Sequence, residues 1–304
     1  MKTPSRQGFT LFQLIVVLAL LAILFGMLLP LIAKARQAAE KAAAFNNLKQ
    51  IALACHNYHD VNTSFPPGND ASNFSAAAYL LPYLEQNNFF KQIDFKKPLT
   101  DVVNVPARKT NIPVFLSPRD PLPVPGGAFG PTNYLFNAGS QPALAGNDGI
   151  FYQDSKTKIQ DITDGTSNTL LAGETLRGDG GSKAVTVERQ YVLLGKDAIK
   201  NVQEETGVDD FKANKHIAGD RGASWMDGRF LQGTFTAILL PNDVQPDVSC
   251  GGLGGVSALR SLEEDVVVAM CDGSVRPVKT KKLTKDMWKA LSTRNGGEAV
   301  SVDF

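Results

Sequence analysis

The 304-residue chain holds little of what most chemistries need. It has three histidines, His56, His59 and His216. His56 and His59 stand at i and i+3, but a zinc centre takes three or four ligands, so no metal site is assigned. Net charge is +1 and no run of five like charges occurs. The densest basic patch, Lys279, Lys281, Lys282 and Lys285, has only Trp288 nearby, which suits a solvated face and not nucleic acid. No G-x-S-x-G elbow is present, so Ser167 and Glu174 do not read as nucleophile and base. Asp209-Asp210 and Glu263-Glu264-Asp265 lie in loop-like sequence, where adjacent acids are solvated. No convergent catalytic set appears, so the expectation is a protein that is not an enzyme and carries no cofactor.

Cysteine is equally sparse, with Cys55, Cys250 and Cys271 only. Cys250 and Cys271 are a possible disulfide and Cys55 the odd one out; three buried thiols are the alternative. Asp-Gly occurs at Asp148, Asp164, Asp179, Asp227 and Asp272. The best candidate calcium loop, Asp161 to Asn168, lacks the alternating carboxylates and closing glutamate of an EF-hand, and turn chemistry accounts for the dipeptide without a ligand.

What is present begins at the N-terminus. Gly8-Phe9-Thr10-Leu11-Phe12-Gln13 leads into an apolar run from Leu14 to Ala33, and no charge lies between Arg6 and Lys34. Twenty helical residues are about 30 Å long, the thickness of a hydrocarbon core. The helical pattern then continues as an amphipathic, alanine-rich segment in which Phe45, Leu48, Ile51, Ala52 and Cys55 share a face. The expected helix runs from about Thr10 to about Asp60, with Gly26 and Pro30 as a kink. Asn62-Thr63-Ser64 and Pro66-Pro67-Gly68 end it.

These residues resemble the prepilin signature of type IV pilins and type II secretion pseudopilins. The resemblance implies that prepilin peptidase cuts between Gly8 and Phe9 and that Phe9 is then N-methylated. It puts Pro30 at the family's helix-kinking proline. It also puts Gln13 at the fibre-packing position, where the family has a glutamate that pairs with a neighbour's amine. Loss of that charge points to a minor or tip subunit. Lys and Arg flank the run on both sides, so the cytoplasmic placement of the N-terminus rests on the resemblance.

Further on, Asn46 to Ile51, His56 to Asp60, Phe65 to Gly68, Leu80 to Gln86, Thr132-Asn133-Tyr134, Asp148 to Phe151, Ile159 to Glu174 and Asp272 to Val275 are similar to a large bacterial prepilin-like family known as domain of unknown function 1559. Two positions depart from its pattern. Leu262 stands where the family has a histidine nine residues ahead of its closing Asp-Gly, and Ser117 stands where it often has a cysteine.

The remainder reads as α+β. A helix is expected over Ala76 to Asn88 and irregular loops over 98–147. Strands are expected at Ile150 to Tyr152, Thr169 to Ala172, Arg189 to Leu194, Gly233 to Leu240 and Val266 to Met270. The continuous apolar run of the last suits a strand covered on both faces. Asp272-Gly273 is a hairpin turn before Val275 to Val278, and Trp288 and Leu291 mark a closing helix.

The expected organisation is a leader (1–8), a transmembrane helix (9–33), its amphipathic continuation (34–60) and an outer α+β domain (61–304). The fold expectation is a long N-terminal membrane-spanning helix, a pilin-like spine, packed on a mostly antiparallel β-rich domain. The functional expectation is a single-span inner-membrane protein with a periplasmic or extracellular domain, a subunit of a type IV pilus or pseudopilus. Its partners would be prepilin peptidase, the membrane, and other pilins or itself. The alternative is a membrane-anchored binding module, for example for glycans, that does not polymerise.

Overall fold

The computed structural model describes residues 11–124, 129–181 and 184–298, apart from the side chains at 22, 23, 25, 27 and 28. The expected cleavage and methylation site, Gly8 and Phe9, lies outside the described residues. The chain divides into one unit ending at Ala42 and a second beginning at Ala43.

A single helix, α1 (Leu11–Asn62), runs through that boundary. Gly26 and Pro30 lie inside it and neither ends it; Gln13 lies in its first turn. The membrane-spanning reading of residues 9–33 is corrected. Among the described residues no helix is long and apolar enough to cross a membrane. From Leu29 on, where side chains are described without a gap, α1 carries Lys34, Arg36, Glu40, Lys41 and Lys49, charges that are costly to place in hydrocarbon. The membrane-spanning spine and the single-pass placement fall with it.

Within the second unit the α+β class holds. A five-stranded sheet has the order β5 (Thr234–Thr236), β1 (Tyr134–Gly139), β2 (Leu170–Glu174), β8 (Asp265–Met270), β9 (Val275–Lys279). A four-stranded sheet has the order β4 (Ile217–Ala218), β3 (Tyr191–Leu194), β6 (Asp247–Cys250), β7 (Gly255–Val256). Most neighbours are antiparallel; β1 with β5 and β3 with β6 are parallel.

The larger sheet is covered on both faces. Val267 and Ala269 of β8 point to a core shared with Leu48, Ile51, Ala52 and Cys55 of α1. Val266, Val268 and Met270 point the other way, to Trp288 and Leu291 of the helix Lys285–Ser292. The period-two alternation of a strand thus serves two hydrophobic layers at once. Thr284 caps that closing helix by accepting the Met287 N–H at 3.2 Å. Gly273, at φ +78°, makes the β8–β9 turn that a side chain would strain.

Several sequence expectations are redrawn. The helix over Ala76 to Asn88 is interrupted. It runs Ala76–Leu80, tightens into a 3-10 turn Leu81–Leu84 that carries Pro82, and resumes at Asn87–Phe90. Glu85, at φ +58°, breaks it. Tyr134–Gly139 is a central strand inside the stretch read as loops, and Ile150 to Tyr152 is not a strand. The disulfide is also corrected, as all three cysteines are free and buried. Cys250 belongs to the core of the smaller sheet, whereas Cys271 shares the core beneath α1 with Cys55 of that helix.

Candidate functional site

The last turns of α1 sit between two clefts. Thr63, at φ +59°, ends the helix, and its N–H still reaches the His59 carbonyl at 2.7 Å. A β-branched residue in the left-handed region is strained, and such residues gather at sites that need a fixed backbone. The chain then doubles against residues 152–157. Phe65 N–H donates to Thr157 O at 2.8 Å, Gly68 N–H to Tyr152 O at 3.2 Å, and Asp154 N–H to Asn69 O at 2.8 Å. Asp154 is itself left-handed, at φ +54°.

On one side of the helix end lies a cleft of about 650 Å³ lined by Tyr58, Asn62, Ser64, Phe65, Pro67, Asp70, Asp154, Ser155 and Lys156. That is within the size range of small-molecule sites. On the other side His59, Asp60, Thr63, Lys158, Ile159 and Gln160 line a second, of about 560 Å³. The first is held firmly. Asp70 accepts the N–H groups of Ser72 and Phe74 at 2.8 Å each and the Tyr79 hydroxyl at 2.6 Å. Burial, then the Asp70 hydrogen bond, raises the Tyr79 phenol well above its ordinary value. Tyr58 packs edge-on against Tyr79 and Tyr83, and burial followed by the Tyr83 neighbour raises its phenol too.

His56 and His59, the i, i+3 pair, do not converge on a ligand. Both rings pack around Phe65, with centroids 6.0 and 5.2 Å away, and His59 Nε2 accepts the Ile159 N–H at 3.3 Å. Among the described residues no group of three or more His, Cys, Asp or Glu could hold a metal ion. Each aspartate of the Asp-Gly pairs accepts a backbone N–H. Asp148 takes that of Ser140, Asp164 that of Gly296, Asp179 that of Gly181, Asp227 that of Arg229 and Asp272 that of Ser274.

A second feature gave no sequence signal. Five arginines and five carboxylates form three sets of mostly buried ion pairs in the second unit. Arg119 holds Glu174 at 2.6 Å and Glu263 and Asp265 at 2.8 Å. Asp120 bridges Arg177 (3.3 Å) and Arg189 (2.8 Å); Asp247 bridges Arg221 and Arg260. Glu174 accepts the Ser117 hydroxyl, so Ser117 has a role at the position where the family often has cysteine. Ser167 is exposed, away from this arrangement. Leu262, at the histidine's place, is 60% exposed. The partners are up to 146 residues apart in sequence, so no local pattern announces them.

The charges here differ in character. Burial raises the Glu174 carboxyl, and Arg119 and Ser117 only partly offset it. Burial also pushes Asp120 upward, but hydrogen bonds from Arg189, the Arg177 N–H and Asn133 outweigh it and hold Asp120 below the ordinary aspartate value. Arg221 is lowered by burial despite Asp247.

A family model described as "Protein of unknown function (DUF1559)" matches residues 33–281. The chain belongs to the DUF1559 family. No curated protein and no solved structure matches it. The DUF1559-like motifs meet around α1. Asn47 donates to Leu116 O at 2.9 Å and to the Tyr134 hydroxyl at 3.3 Å, and Lys49 donates to Gly273 O at 2.6 Å. Phe65 packs on Phe151, 5.9 Å between centroids. In this DUF1559 member these motif contacts seat the helix on the sheet.

Proposed function

We propose that this DUF1559 protein is a prepilin-like subunit. Prepilin peptidase cuts between Gly8 and Phe9, Phe9 becomes the methylated terminus, and the N-terminal helix packs against other pilin-like subunits or a second copy. The filament is a type IV pilus or a type II secretion-type pseudopilus, in which the unit from Ala43 onward is the interaction module.

One observation carries this reading. The early part of α1 exposes large apolar side chains on every side, among them Leu11 (77%), Phe12 (75%), Leu29 (67%) and Leu31 (62%). Contiguous apolar surface of this kind calls for a cover, and the resemblance around Gly8 to Gln13 supplies pilin-like helices as that cover. Gln13 favours a second reading, a binding module that carries the signature without polymerising.

Mass spectrometry of the mature N-terminus, together with crosslinking through a cysteine placed at Leu18, tests both. A chain starting at methylated Phe9 that crosslinks into oligomers supports the subunit. Processing without crosslinks selects the second reading. A chain still starting at Met1 overturns the subunit and leaves the binding module. If Gln13 is what limits assembly, Gln13→Glu increases the crosslinked fraction.

A further inference from the structure

We infer that the 650 Å³ cleft beside the end of α1 binds a neutral saccharide. Its walls combine the two features such a ligand needs. Tyr58 and Pro67 give apolar surface over a floor made by Phe65, which is 1% exposed. Around them stand short, fixed polar groups suited to hydroxyls, which both donate and accept. Asp70 is clamped by three hydrogen bonds and so cannot swing away. Asp154 is fixed in the left-handed region and paired to Asn69 through its N–H.

The deciding group is Ser155. Its residue is 2% exposed, it lines the cleft, and its Oγ makes no hydrogen bond within the chain. A buried hydroxyl without a partner is costly, and a native fold keeps one where something else supplies the bond. Among the residues of this cleft Asp70 and Asp154 outweigh Lys156, which disfavours sulfated or carboxylated sugars. Among the described residues no group of three or more His, Cys, Asp or Glu stands at this cleft to hold a divalent cation. This inference sharpens the binding-module reading but does not depend on whether α1 assembles. A chain that crosslinks through α1 and also binds sugar leaves both standing.

Saturation-transfer NMR on the purified full-length chain tests it, with cellotriose, maltotriose, chitotriose and mannotriose as probes and a heparin-derived oligosaccharide as the charged comparator. Transfer to at least one neutral trisaccharide is expected. Tyr58→Ala should weaken that binding about tenfold through loss of the aromatic wall. Ser155→Ala should weaken it about three- to tenfold without lowering the melting temperature of the ligand-free chain, because the hydroxyl holds nothing else and its removal relieves the cost of an unpaired buried group. Lys158→Ala, in the neighbouring cleft, should leave it unaltered. No transfer from any neutral probe, binding that survives both Tyr58→Ala and Ser155→Ala, or selective binding of the heparin fragment would overturn the inference. Should Tyr58→Ala fail to fold, Ser155→Ala still decides.

Discussion

The second unit is built on two interiors of opposite kind. Around β8 the interior is hydrocarbon on both faces, with Val266, Val267, Val268, Ala269 and Met270 all essentially inaccessible. On the loop side the interior is ionic, with Arg119, Asp120, Glu174, Arg177, Arg221, Asp247 and Arg260 buried beside one another. The first gains stability from area removed from water and tolerates small errors by repacking. The second recovers the cost of desolvating its charges only while every partner is in place. The difference is one of brittleness more than of strength.

Breaking one partner should therefore cost most on the ionic side. Asp247→Ala leaves Arg221 and Arg260 buried without their shared carboxylate, and should lose about 3–5 kcal/mol in chemical denaturation. Replacing Arg221, Asp247 and Arg260 together by Met, Leu and Met should recover most of that loss. If the triple variant is as unstable as the single, the ionic interior is not brittle in this sense. On the hydrocarbon side, Leu48→Ala opens a cavity between α1 and the sheet and should cost about 3 kcal/mol.

Acid and alkali should distinguish two carboxylates of the ionic interior. Asp120 has its folded value below its unfolded one, so its stabilisation is present above the ordinary aspartate range and is lost as pH falls through the folded value. Glu174 has its folded value raised, so its contribution is present below the unfolded value and is lost as pH rises through the folded one. Melting temperature followed from roughly pH 3 to pH 8 should show Asp120→Asn flattening the acid limb and Glu174→Gln flattening the decline on the other side. The smallest effect concerns neither interior. Thr284→Ala removes the cap of the closing helix and should cost about 1 kcal/mol.

How much of this was legible depended on the range of the interactions. The helix from Leu11, the β8–β9 hairpin and the closing helix all announce themselves in windows of ten residues, through period, Asp272-Gly273 and Trp288. The face of α1 that carries Leu48, Ile51, Ala52 and Cys55 was legible for the same reason. Tyr134–Gly139 was not, because proline and glycine on both sides mask a strand whose partners come from 170–174 and 234–236. The bilayer-length run at the N-terminus invited a membrane reading that the described helix does not support. Of the proposed saccharide cleft, Tyr58, Asn62 and Phe65 to Pro67 could be seen as the end of a helix, but Asp154 and Ser155 reach it only through the fold.

The anchorage of Lys49 on Gly273 joins residues 224 positions apart. A ribosome delivers the helix early and its acceptor late, so for most of synthesis the apolar face of α1 has no finished seat. β8, which divides the two hydrophobic layers, also arrives near the end. Nascent or truncated chains that stop before it leave both layers open, and the complete domain closes as one late event.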